Sequence, residues 1–184
     1  MRAVLLYYMR RLLFIGLLIA LMCGAHAEDL INYSEEVGPY TISFSLPELQ
    51  SGPVEFEKNI SQTETLSGVV NDRYELTMYS GGFTAGILVV DHYGEAIKYD
   101  LAQHQKGQIE YFESAGFVVA PAERKIDGVD GTILRVSDVP KNADLFDIFY
   151  QKDRQTSVHG GIMLSWEQTV PLLRSLNVTS FSAP

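Results

Sequence analysis

The chain has 184 residues, with 14 Lys and Arg against 23 Asp and Glu, and a formal net charge of −9. That length suits one ordinary domain, and that charge argues against nucleic acid or an anionic lipid surface as a partner. One cysteine, Cys23, rules out a disulfide framework within the chain and confines thiol chemistry to a single position.

Residues 1–27 read as a cleaved secretory signal. Arg2, Arg10 and Arg11 give a basic start without an acid, Leu12–Met22 is an apolar run, and Ala25-His26-Ala27 has the small–x–small pattern of a cleavage site. The run is about half the ~20 residues that a bilayer core demands, so no stable membrane span is expected after cleavage. An N-terminal membrane anchor is the alternative. Arg10-Arg11 has twin-arginine character, but Met9 stands where a polar residue is usual, and Met22 precedes Cys23 where lipidation favours a small one. Cleavage removes three of the 14 basic residues and none of the 23 acids, which takes the charge from −9 to −12. Cys23 leaves with the leader. The expected mature protein is acidic and cysteine-free, is secreted or associated with the envelope outside the cytoplasmic membrane, and relies on packing alone.

Residues 28–38 are polar and acidic and read as a loosely ordered approach segment. Tyr40, Ile42, Phe44 and Leu46 alternate with Thr41, Ser43 and Ser45, a strand with one buried face that Pro47 stops. Val54, Phe56 and Ile60 indicate a second strand, Ser61–Arg73 a loop, and Tyr74, Leu76 and Met78 a third strand. After the Ser80-Gly81-Gly82 break, Ala85–Val90 is continuously apolar, as suits a central strand covered on both faces. Asp100–Ala115 predicts a helix: Asp100 and Gln103 have capping-box spacing, Gly116 supplies a stop, and Leu101, Ile109 and Phe112 share one stripe.

Phe117–Ala120 returns to strand character. Lys125-Ile126 and Thr132–Val136 flank a glycine-containing turn, and Leu145–Gln151 with Val158–Leu164 predicts another hairpin. Ser165 and Gln168 again have capping-box spacing, and Trp166, Val170, Leu173 and Leu176 define a last helix; Pro171 favours a start at Thr169. Hairpins without a βαβ alternation predict an α+β fold, mainly an antiparallel sheet flanked by a middle helix and a C-terminal helix. The domain is expected over residues 39–179, with a frayed tail at 180–184.

Catalytic and binding motifs are sparse. Ser80 lacks the leading glycine of a nucleophile elbow, and Ser80–Gly86 lacks the G-K-[ST] ending of a phosphate loop. His92, His104 and His159 have no metal-ligand spacing. The acid pairs Glu35/Glu36, Glu55/Glu57, Glu110/Glu113 and Asp144/Asp147 have the residue types of a glycosidase pair, but solvated pairs are common and no catalytic residue is assigned. Asp127 and Asp130, around Gly128, are the candidate metal site, with calcium its cation; the same residue types are ordinary in hairpin turns. No other cofactor is expected. Sequons make Asn32, Asn59 and Asn177 candidate glycosylation sites.

Three stretches, Tyr40–Ser45, Ile126-Asp127-Gly128 and Leu172–Val178, together resemble the PsbP-like group, named for an extrinsic subunit of photosystem II. The resemblance implies an antiparallel sheet flanked by helices and a non-catalytic accessory or interaction role. It does not reach the middle of the chain and carries no functional residue over. The function expected is an exported interaction domain with a protein partner at the membrane or envelope exterior. The alternatives are an exported hydrolase with dispersed catalytic residues, and a small-ligand or calcium-binding module. A pocket with convergent polar groups that include one of the three histidines would favour an enzyme or a ligand site over an interaction surface.

Overall fold

The computed structural model describes residues 29–64, 70–96, 100–122, 125–138 and 143–181; the expected leader at 1–27 lies outside them. The chain is an α+β fold of two antiparallel sheets and two helices. A small sheet has the order β1-β2-β11, formed by β1 (Leu30–Val37), β2 (Tyr40–Pro47) and β11 (Asn177–Ser180). The large sheet has the order β3-β4-β5-β10-β9-β8-β6. Its strands are β3 (Val54–Glu64), β4 (Val70–Ser80), β5 (Phe83–Tyr93), β6 (Val118–Pro121), β8 (Val129–Asp138), β9 (Ala143–Gln151) and β10 (Thr156–Ile162). A short β7 (Lys125–Ile126) pairs with β8. Among the described residues no helix is long and apolar enough to cross a membrane.

The two faces of the large sheet differ in chemistry. Leu76, Leu88, Ile148 and Ile133 lie on one face, and Tyr74, Val90, Val158 and Tyr150 are cross-strand neighbours on the same side. That face meets the small sheet and α2 (Trp166–Ser175), which contribute Ile42, Phe44, Leu46, Leu172 and Leu173 to one continuous core. Each such aliphatic or aromatic side chain contributes roughly 1.5–3 kcal/mol by leaving water. The opposite face carries Arg73, Asp91, Ser157, His159, Asp147 and Phe149, and α1 (Leu101–Ser114) lies against it.

The helices begin where the caps demand. Asp100 accepts from the backbone N–H groups of Ala102 and Gln103 at the start of α1. At α2 the reciprocal capping box of Ser165 and Gln168 is complete, so the helix starts at Trp166 and not at Thr169. Pro171 is thereby carried inside the helix, at the loss of one backbone donor. The stripe of α1 that faces the sheet includes His104, Gln105 and Gln108 beside Leu101, Ile109 and Phe112, and none of its residues is fully buried.

Two segments expected to be irregular are strand. Residues 30–37 pair with β2 along their whole length. Their polarity hid a period of two: Tyr33, Glu35 and Val37 face inward, and Tyr33 sits against Phe44 and Phe56 at 5.6 and 5.5 Å between ring centroids. The β3–β4 ladder likewise runs on through Ser61↔Arg73 to Glu64↔Val70, where polar pairs such as Gln62–Asp72 replace apolar ones. The tail expected after residue 179 still belongs to β11, which ends at Ser180; residues 182–184 lie outside the described range.

One close approach locks the sheet. A Cβ on Gly160 would lie 2.1 Å from the Ile87 carbonyl oxygen on the paired strand. Gly160→Ala is therefore expected to lower stability by about 3 kcal/mol, the upper end for overpacking, because only backbone can move to make room. Gly107→Ala, on α1 with nothing within 4 Å, is expected to add about 0.5–1 kcal/mol. Urea midpoints of the two variants check both signs.

Candidate functional site

The polar face of the large sheet is assembled by register. Arg73 on β4 stands opposite Asp91 on β5, which stands opposite Ser157 on β10. The next row places His159 opposite Phe149, and the row after that places Gly161 opposite Asp147 on β9. Directly opposed residues share a face, and diagonal neighbours come within reach of long side chains. His159 uses the diagonal: its Nε2 lies 2.9 Å from Asp91 Oδ2.

Asp91 is the hub. Its Oδ1 accepts from Asn71 Nδ2 at 2.9 Å and from Arg73 Nε at 3.1 Å, and its side chain is 6% exposed. Burial alone would raise this carboxyl, but the hydrogen bonds from His159 and Arg73 prevail and hold it below the ordinary carboxylate value. An ionised carboxylate only accepts, so His159 presents Nε2–H to Asp91. The Arg73 Nη2 group, 3.2 Å from the same ring nitrogen, only donates and so gains nothing from an N–H there; its acceptor in this arrangement is Asp91 Oδ2 at 3.5 Å. In the neutral imidazole Nδ1 is then the acceptor.

Between this network and α1 is a cleft of about 280 Å³, lined by Asp91, Tyr93, His104, Gln108, Asp147, Ile148, Phe149, Ser157 and His159. His104 descends from α1 and stacks on Phe149, with ring centroids 4.0 Å apart and planes 28° apart. Burial, then the nearby His159, pushes the His104 imidazole down toward its neutral form. Tyr93 and Ser157 meet through their hydroxyls at 3.3 Å. Among the described residues no hydrogen bond joins Ser157 to His159, so the face holds no assembled serine–histidine dyad. Asp147 stands apart from the hub. It takes no hydrogen bond from any described residue, and burial pushes its carboxyl up to about 6, with His159 working in the opposite direction.

The residues singled out in the sequence are scattered. His92 lies on the other face, where its Nδ1 meets the Tyr40 hydroxyl at 2.9 Å, so only His104 and His159 reach the cleft. Asp144 pairs with Arg135 and Ser137, away from Asp147. Glu35 pairs with Lys58 at 2.8 Å, Glu57 accepts from the Tyr79 hydroxyl at 2.9 Å, and Glu110 lies 3.7 Å from Lys106; Glu36, Glu55 and Glu113 are exposed.

Asp127 occupies a turn at φ +53 before Gly128 at φ +76, the left-handed pair of a tight hairpin. Its Oδ2 already receives Lys152 Nζ at 2.5 Å, the Tyr150 hydroxyl at 3.2 Å and the Val178 N–H at 3.1 Å, whereas Asp130 is exposed opposite Lys125. A calcium ion at this turn would have to displace those donors. Among the described residues no three His, Cys, Asp or Glu side chains are grouped to share a metal ion. Asn32, Asn59 and Asn177 are all exposed on strands; Asn32 accepts from Ser45 at 2.7 Å.

The hub itself was missed from sequence. Its trace was polar residues at alternate positions, in Asn71-Asp72-Arg73, Asp91-His92-Tyr93, Ser157-Val158-His159 and Asp147-Ile148-Phe149. That pattern marks a wet face, but only register says which of its members meet.

The pH dependence of stability follows from Asp147. An unfolded chain releases this proton near the ordinary 3.8, whereas the folded chain keeps it until about 6. The folded state thus binds more protons between those values, so stability falls as pH rises through the window and stays lowered above it. Asp147→Asn is expected to be neutral near pH 3.5 and to raise stability by on the order of 2 kcal/mol at pH 8. Urea unfolding at the two pH values reads the difference.

No protein-family model, no curated protein and no solved structure matches this chain.

Proposed function

We propose that this protein is an exported domain that binds a small organic ligand in the cleft between α1 and the polar face of its large sheet. The observation that carries the reading is the convergence, in one concave site, of two carboxylates, two imidazoles and an aromatic wall drawn from β5, β9, β10 and α1. Ligand sites combine apolar lining with a few placed polar groups, and this cleft has the modest size of a compact metabolite site. The hub of Asn71, Arg73, Asp91 and His159 fixes side chains that would otherwise reorient, a preorganisation that lowers the cost of binding. Export rests on the leader, and a place outside the cytoplasmic membrane follows from it.

A protein-partner role has an observation of its own. Phe83 is 77% exposed at the β4–β5 turn, next to a tip tied down by the Ser51–Ser80 hydroxyl contact at 2.6 Å and by Ser80 donating to the Gly52 carbonyl at 2.8 Å. The resemblance to the PsbP-like group points the same way.

Backbone amide resonances of the full chain, titrated with a library of small polar and aromatic compounds, separate the two. The expected outcome is binders whose shifts cluster at Tyr93, His104, Phe149 and His159 and vanish in His104→Ala. A library that leaves the cleft untouched, with a crosslinked envelope partner lost in Phe83→Asp, would move the function to the turn.

A further inference from the structure

Resting on the ligand-binding reading above, we propose that the ligand is a small organic cation, with its ammonium group on the Asp147 carboxylate and its carbon skeleton against the His104–Phe149 stack. The argument is one of elimination among the formal charges and hydroxyls at the cleft. The Asp91 carboxylate is already matched by Asn71, Arg73 and His159. Arg73 is in turn held by that carboxylate, so its charge is not offered to an anion. Tyr93 and Ser157 are turned to each other.

Asp147, half-buried, is the cleft carboxylate that receives no hydrogen bond from a described residue. A carboxylate partly withdrawn from water without a protein donor is costly, and a ligand ammonium supplies both the counter-charge and the hydrogen bonds. An aromatic wall beside it suits the same ligand, because ring faces attract cations and bury methylene groups. The domain as a whole is acidic, which raises the local concentration of cations rather than anions.

The titratable groups that share the cleft with Asp147 are His159 from β10, which acts on it directly, Tyr93 and Asp91 from β5 and His104 from α1, with Arg73 reaching the hub from β4. On β8 the residue opposite is Leu134, which does not titrate. Ionisation of Asp147 therefore governs the site above its titration at about 6.

The probes are benzylamine, benzyl alcohol and benzoate, three molecules of similar shape and different charge. Each is titrated into the full chain and into Asp147→Asn, followed by amide shifts at Tyr93, His104 and His159. Benzylamine is expected to bind at least tenfold more tightly than the other two at pH 7.5. Its affinity should fall about tenfold per pH unit below about 6, and both the preference and the pH dependence should vanish in Asp147→Asn. Binding of the alcohol or the benzoate as tight as that of the amine overturns the cation assignment and leaves the ligand-binding reading intact. So does an amine preference that survives in Asp147→Asn. If none of the three moves the cleft resonances, both fall.

Discussion

The pairing of β5 with β10 sets everything else in this molecule. Gly160 lies beneath the Ile87 carbonyl with no room for a side chain, and that contact holds the register in which Asp91 faces Ser157 and Val90 faces Val158. A slip of one residue would turn every side chain of a strand to the opposite face. Val158, Gly160 and Ile162 would then meet the wet side, and Ser157 and His159 would be driven into the core against Leu88 and Tyr150. The hydrophobic pattern and the charged network therefore enforce the same register from opposite faces of one sheet. Neither needs the other as a neighbour, yet each fails if the other shifts.

Those two faces store polarity differently. On the dry face His92 is tied to the Tyr40 hydroxyl, and Asp127 sits under Lys152, Tyr150 and the Val178 amide. On the wet face two carboxylates, on β5 and β9 either side of β10 and four residues apart along it, are pushed in opposite directions: Asp91 down by its partners, Asp147 up by burial. Environments that separate like groups in this way recur where a protein binds or transforms something, since structure alone has no use for the second carboxylate. Stability would improve without it, which is why its retention on a strand otherwise rich in Phe, Ile and Tyr invites a functional account.

Much of the fold was legible because hydrophobic period is a local signal. Tyr40–Leu46 alternates cleanly, Ala85–Val90 is apolar throughout, and Asp100 announces a helix. The signal failed where a strand is polar on both sides, as in β1 and the far half of β3–β4, since exposed ladders are held by backbone and cross-strand pairs that a single segment does not display. The cleft failed for a related reason. Asn71, Arg73, Asp91, Asp147 and His159 span four strands, and no spacing along the chain encodes their meeting. The inward stripe of α1 carries Gln105 and Gln108 among its apolar residues, and a helix that roofs a wet cleft has reason to be polar underneath.

The small sheet is closed by β11, whose Asn177 pairs with Ser43 across 134 residues of sequence. The Val178 amide also fills the last position on Asp127, so one short strand completes a sheet and a buried hydrogen-bond set together. A ribosome delivers β2 long before β11. Until residues 177–180 emerge, the second edge of β2 lacks its partner and Asp127 lacks one of its three donors among the described residues, and loop closure over that span is the entropically slow event. The nascent chain is thus kept from locking early. The small sheet and the Asp127 hydrogen-bond set close in one step, when residues 177–180 dock.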